Sequence, residues 1–170
     1  MRRRRRPNPA SGAAEADERT VRTAALALLA GRDFGRREIA ERLTGKGYPE
    51  ALVEPVLEAL TAERLLSEDR FVSNFVSQHA ARGQGPMRIR MDLRERGVES
   101  AAIDTALEEA DVNWADSARA TRRRRFGAAP PADFRERAKQ ARFLQYRGFS
   151  SEQIRAALGP GNDPDDDIES

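Results

Sequence analysis

Three stretches of the chain carry one short pattern at near-constant spacing. Ile39, Leu43, Gly47, Tyr48, Val53 and Leu57 return as Ile89, Leu93, Gly97, Val98, Ile103 and Leu107. They return again as Leu144, Gly148, Phe149, Ile154 and Leu158, with Gln140 in place of the leading aliphatic residue. The glycines stand 50 and then 51 residues apart, each directly after a basic residue: Lys46, Arg96 and Arg147. Self-similarity at such a period signals stacked supersecondary units rather than one irregular globule. A row of such units presents a long surface, which suits a polymer better than a small substrate.

The period inside each unit is helical. Ile89 and Leu93 lie four apart, and Gly97 follows where a helix needs a left-handed residue to end. Val98 then packs back, and a new helix sets Ile103 and Leu107 on one face. In the third copy Ser150 and Gln153 have capping-box spacing. A preceding helix completes each triplet: residues 24–30, 71–81 and roughly 114–125. The expected fold is therefore all-α, three tandem helix–turn–helix-like three-helix repeats in an elongated, curved array. Repeat 1 covers residues 19–66, repeat 2 covers 67–112 and repeat 3 covers 113–159. A disordered arginine-rich arm, 1–18, precedes them, and a disordered acidic tail, 160–170, follows. Pro55 falls where the last helix of repeat 1 belongs, at a cost of about 3 kcal/mol inside a helix. That helix is expected either to start late, near Glu54, or to kink. Pro130 and Pro131 predict a longer loop between the first two helices of repeat 3.

Composition narrows the function classes. Apolar residues make up 39% of the 170 and charged residues 34%, so the core is thin and shared among the units. The absence of cysteine excludes disulfides and thiolate metal sites. No run of 18 apolar residues exists to span a membrane, and the Arg2–Arg6 start lacks the apolar segment of a secretory signal. A soluble cytoplasmic protein is expected. The net charge of +2 conceals an uneven distribution. Residues 71–147 hold fifteen basic against ten acidic groups, whereas residues 148–170 hold one against six. Positive potential belongs to the middle of the chain.

Catalytic chemistry finds little footing. The single histidine, His79, follows Phe75 and Val76 and has no cysteine or second histidine to work with; it reads as structural. The run Asp165–Asp167 lacks a fixed coordination geometry and reads as solvated. Gly83-Gln84-Gly85 lacks the Gly-Lys-Ser/Thr ending of a phosphate loop; it turns the chain, with Pro86 at the first position of a helix. No enzyme activity, cofactor or metal is expected.

Basic residues are the positive evidence. Arg90 and Arg94, with Arg88, lie on the helix that starts near Pro86, beside its Ile89–Leu93 core stripe. Arg122, Arg123, Arg124 and Arg125 wrap around the preceding helix of repeat 3, so at most two share a direction. Arg135, Lys139 and Arg142 line one face of the helix that starts near Asp133, and no acidic residue is expected to interleave with them. Charge on helix faces is ordinarily mere solubilisation, yet three helices contribute here, which favours contact with phosphate or an acidic surface. For Arg2–Arg6, nonspecific DNA affinity by counterion release and a functionless arm stand level.

The order Leu66-Ser67-Glu68-Asp69-Arg70-Phe71, Gly83-Gln84-Gly85-Pro86, Arg88-Ile89, Leu93 and Gly97-Val98 resembles the RecX family of recombinase regulators. Phe143-Leu144, Arg147-Gly148-Phe149-Ser150 and Ile154 are similar to that family's carboxy-terminal pattern. The resemblance spans about residues 20–158; Val72 departs from it, standing where the family usually has alanine. It implies a monomeric, non-enzymatic protein of three three-helix units. Such a protein lies in the groove of the RecA filament on single-stranded DNA and restrains strand exchange, ATP hydrolysis and coprotease activity in DNA repair and the SOS response. Two rivals remain open on the residues alone. One is a helix-turn-helix protein acting on duplex DNA, although residues 99–107 carry no arginine; the other is a scaffold whose basic face meets an acidic protein.

Overall fold

A computed structural model describes residues 17–159; the Arg2–Arg6 run and the acidic residues from Asp163 to Glu169 lie outside the described residues. Among those described, every regular element is an α-helix. The helices are α1 (Glu18–Leu29), α2 (Arg36–Gly45), α3 (Glu50–Ala62), α4 (Glu68–Ala81), α5 (Pro86–Glu95), α6 (Ser100–Glu109), α7 (Trp114–Phe126), α8 (Phe134–Tyr146) and α9 (Ser151–Leu158). The chain divides into two compact units at the Phe71–Val72 bond, within α4.

The first unit is built on α1 to α3. Asp17 caps α1 by accepting from the amide of Thr20 at 2.8 Å, so Asp17 and Glu18, placed in the arm on sequence grounds, belong to the helix start. Val21 and Ala25 of α1, Ile39 and Leu43 of α2, and Val53, Val56, Leu57 and Leu60 of α3 form one buried cluster, closed by Phe34 and Leu66. Each fully buried aliphatic side chain of this kind contributes about 1.5–3 kcal/mol. α3 starts at Glu50 rather than near Glu54, with Pro55 inside it. Pro55 and Ala51 are both exposed, so water can reach the Ala51 carbonyl that Pro55 leaves without an amide donor.

The three repeat glycines all close a helix in the same way. Gly47, Gly97 and Gly148 have φ of 93°, 79° and 91°. Tyr48, Val98 and Phe149 each donate their amide five residues back along the turn, to the carbonyls of Leu43, Leu93 and Leu144, at 3.1–3.3 Å. Gly47, Gly97 and Gly148 donate to Thr44, Arg94 and Gln145. This is a Schellman motif, and it explains the leucine–glycine pair in the sequence: the leucine enters the core and the glycine takes the left-handed position. After the third turn Ser150 and Gln153 form the expected capping box on α9.

In the second unit two distant turns are sewn together. The amides of Gly85 and Met87, at the start of α5, donate to the carbonyls of Arg147 and Gly148 at 2.8 and 3.0 Å. The Arg147 side chain returns the favour, donating from Nε to Gly83 O at 2.9 Å and from its guanidinium to Arg82 O at the end of α4. Orphan amides of one helix thus meet orphan carbonyls of another. The approach is so close that a Cβ on Gly85 would overlap the Gly148 backbone, and one on Gly148 would overlap Arg88. α7 packs along α9 over a core of Ala118, Leu144, Phe149, Ile154, Ala157 and Leu158. Short α9 is held at its C-terminus by two arginines. Arg119 donates to Ala156 O at 3.1 Å, and Arg137 donates to Leu158 O at 3.3 Å and Gly159 O at 2.8 Å.

Candidate nucleic-acid interface

The site is assembled from α7 and α8 in the second unit. Asp133 caps α8, its carboxylate accepting from the Glu136 amide at 2.7 Å. Gln140 and Leu144 form the buried seam of that helix. At about 100° per residue, Arg135, Lys139, Arg142 and Tyr146 fall in a sector of about 60° directly opposite that seam. All four are exposed, Tyr146 at 79%. The helix therefore turns a cationic stripe, ended by an aromatic ring, away from the core.

α7 adds its basic C-terminus. Arg123, Arg124 and Arg125 are exposed there, where positive charge also suits the helix dipole. The Phe126 ring links the two helices. Arg125 sits 5.4 Å and Lys139 Nζ 5.7 Å from its centroid, while its edge meets Phe143 at 5.3 Å. Both cations thus lie within reach of one aromatic ring.

Two expectations need correction. Arg122 is only 4% exposed and cannot meet a partner. It donates from Nε to Gln140 Oε1 at 2.8 Å and from its other nitrogens to the carbonyls of Ala129 and, more loosely, Gly127. Its charge is spent on folding the proline-rich loop back onto α7, because a guanidinium can satisfy several carbonyls that the loop leaves open. The α8 stripe is also not free of acid: Glu136 lies 3.3 Å from Lys139 Nζ.

The three arginines of α5 are placed apart from this stripe. Arg88 Nε lies 2.9 Å from Asp92 Oδ1 and Arg90 lies 2.7 Å from Asp104 Oδ1 of α6, close enough to attract but off the line of a hydrogen bond. Arg94 is exposed. Between them sit Met87 and Met91, 61% and 43% exposed, and with Pro86 and Glu95 these side chains line a groove of about 460 Å³. Sequence reasoning passed over Met87, Met91 and Tyr146, although their four-residue spacing from one another or from Arg142 was the available signal. His79 is stacked on Phe75 at 3.8 Å and its Nδ1 is 2.5 Å from Gln84 Oε1, a packing role at the end of α4. Among the described residues no helix is long and apolar enough to cross a membrane.

Comparison with known proteins bears on the whole described chain. Family profiles for the first, second and third three-helix domains of RecX match residues 22–60, 67–107 and 113–158. A protein of Halorhodospira halophila named "Regulatory protein RecX" is 51% identical over 153 residues, covering 90% of this chain and 95% of its own. One of the same name from Pseudomonas fluorescens strain Pf-5 is 46% identical over 144 residues, covering 84% and 93%. Among solved structures, "Crystal structure of regulatory protein RecX" aligns with a TM-score of 0.70 at 25% identity, covering 82% of this chain and 70% of that one. RecX from Lactobacillus salivarius aligns at 0.71 with 18% identity, covering 84% and 94%, which speaks to the fold alone.

Proposed function

The chain belongs to the RecX family of regulatory proteins, and from that premise we propose that it regulates the RecA filament on single-stranded DNA without catalysing a reaction itself. It acts as a cytoplasmic monomer, lies along the filament groove and restrains ATP hydrolysis, strand exchange and coprotease activity. The observation that carries this reading is the exposed Arg135–Lys139–Arg142 stripe of α8, with Arg125 of α7 near it across the Phe126 ring. It is a cationic surface on a rigid helix, facing away from the core. Phosphates of a nucleoprotein filament are its natural counter-surface. The α5 groove, apolar at Met87 and Met91 and basic at Arg90 and Arg94, suits an acidic protein surface, since methionine adapts to many shapes.

The duplex-reading alternative has weaker support. α6, which follows a repeat glycine, carries no basic residue and its Asp104 is engaged by Arg90. α9 carries only Arg155. Helices meant to enter a major groove ordinarily present several donors to base edges.

The test is hydrolysis by RecA on single-stranded DNA, with and without the full chain. The expected result is a dose-dependent fall. The triple reversal of Arg135, Lys139 and Arg142 to glutamate should abolish it while far-UV circular dichroism stays unchanged. Hydrolysis untouched at saturating wild-type protein would end this reading.

A further inference from the structure

We infer that Tyr146 is a stacking platform for a base of single-stranded DNA, and that the α8 stripe grips the strand by base as well as by phosphate. This rests on the filament reading above and sharpens it by naming what the stripe holds. Four observations lead there. Tyr146 is 79% exposed, a large apolar surface left to water on a helix whose buried side is the Gln140–Leu144 seam. It lies one turn from Arg142, in line with Lys139 and Arg135. The four span twelve residues, about 16 Å of helix axis, which suits a few nucleotides of a strand. Its neighbour Arg147 is fixed by hydrogen bonds to the carbonyls of Arg82 and Gly83, so the end of α8 is anchored to α4 and does not fray.

The other aromatic rings nearby fit this role less well. Phe126 already has Phe143 against its edge and Arg125 and Lys139 around it, so it positions cations. Phe134 is 77% exposed but stands off the stripe, next to the Asp133 carboxylate, which repels a phosphate chain. Among the described residues of this helix, an open ring in line with the three stripe cations occurs at Tyr146, with Arg142 one turn away and Glu136 held by Lys139 further back. A base in a closed duplex cannot reach such a ring, whereas an unpaired base can, and stacking of this kind tolerates any base.

The experiment uses the full chain and two labelled probes read by fluorescence anisotropy. One is an oligothymidylate; the other has the same length and phosphates but abasic sugars. Wild type should prefer thymidine by about five- to a hundredfold, the worth of one stacked base. Tyr146→Ala should bind the two probes equally, and Tyr146→Trp should keep the preference. The Arg135→Gln, Lys139→Gln, Arg142→Gln variant should weaken both probes alike and lower the slope of log affinity against log salt by about 2, near 0.7 per lost contact. The inference is overturned if wild type does not discriminate, or if Tyr146→Ala discriminates as well as wild type. It is also overturned if Tyr146→Ala changes only the capture of RecA free of DNA, which would make the ring a protein contact. The filament reading is judged separately: it stands or falls on RecA hydrolysis with wild-type protein, whichever way the oligonucleotides come out.

Discussion

The amide of Met87 donates to the carbonyl of Gly148 at 3.0 Å, joining the first turn of α5 to the turn that ends α8. A residue 61 positions away completes a helix N-terminus that no local side chain caps. The contact gives two of the sequence-equivalent glycines different duties. Gly47 and Gly148 have nearly the same φ, 93° and 91°, yet an added Cβ meets nothing within 4 Å at Gly47 and overlaps the Arg88 backbone at Gly148.

Asparagine, which tolerates the left-handed region, should therefore cost about 1 kcal/mol or less at Gly47. At Gly148 it should cost about 3 kcal/mol or more, because overpacking adds to the backbone penalty. Denaturant unfolding of Gly47→Asn and Gly148→Asn compares them. Trp114, the single tryptophan, reports the second unit. Equal losses at the two glycines would deny the close approach.

Leu93 and Leu144 are each fully buried, one under each of the last two repeat turns. Truncation to alanine should cost about 2–5 kcal/mol at either site, from lost burial and the cavity left behind. Unchanged melting in either variant would remove that leucine from the core.

Arg122 and Arg135 separate structure from function on neighbouring helices. Arg122→Ala strands Gln140 Oε1 and the carbonyls of Ala129 and Gly127, and should destabilise the second unit by about 2–4 kcal/mol. Arg135→Ala, on the solvent face, should stay within about 0.5 kcal/mol while weakening filament binding. Calorimetric melting paired with cosedimentation on RecA filaments distinguishes the two. An Arg122→Ala protein of wild-type stability and reduced binding would return Arg122 to the interface.

Acid should loosen the first unit. The hydroxyl and then the amide of Thr20 hold the Asp17 carboxyl below its ordinary range, and the Arg22 guanidinium does the same to Glu63 by hydrogen bonding. Arg22 meets both Glu63 oxygens, at 3.0 and 2.6 Å, tying α1 to the end of α3. A depressed folded value means these groups bind protons more readily once unfolded. Their stabilisation is complete above the unfolded carboxylate range and is lost as pH falls through the lower folded values. Both are exposed, so the effect is small and the Arg22–Glu63 share shrinks in salt. Amide exchange along α1, followed from neutral pH downward, should accelerate at the acid end, and Glu63→Gln should flatten that limb. Acceleration of equal size in Glu63→Gln would dismiss the Glu63 contribution.

Much of the fold was legible because its signals are short-range. A leucine four residues before a glycine, a capping serine three before a glutamine, or a proline opening a helix all act within one or two turns of chain. Pro55 suggested a late helix start, which the helix does not have, for the same reason. Its local penalty was visible, but the solvent exposure that lets water serve the Ala51 carbonyl was not. The candidate site was half legible. The spacing of Arg135, Lys139 and Arg142 predicted a shared face, yet it could not reveal that Glu136 lies within reach of Lys139. Nor could the run Arg122 to Arg125 show which member turns inward, since that depends on a loop seeking donors for its carbonyls.

The sequence alone determined the nine-helix order among the described residues, the core stripes, the three glycine turns and the kinship, because each is written in residue spacing and type. Tertiary structure alone decided that Gly85 and Gly148 meet, that Arg122 is consumed inside while Arg123 to Arg125 stay outside, and that Tyr146 ends an open cationic stripe. Those outcomes depend on which surfaces remain after chain segments some sixty residues apart have packed together. Periodicity, which reports only a residue's direction on its own helix, carries no record of what arrives on the other side.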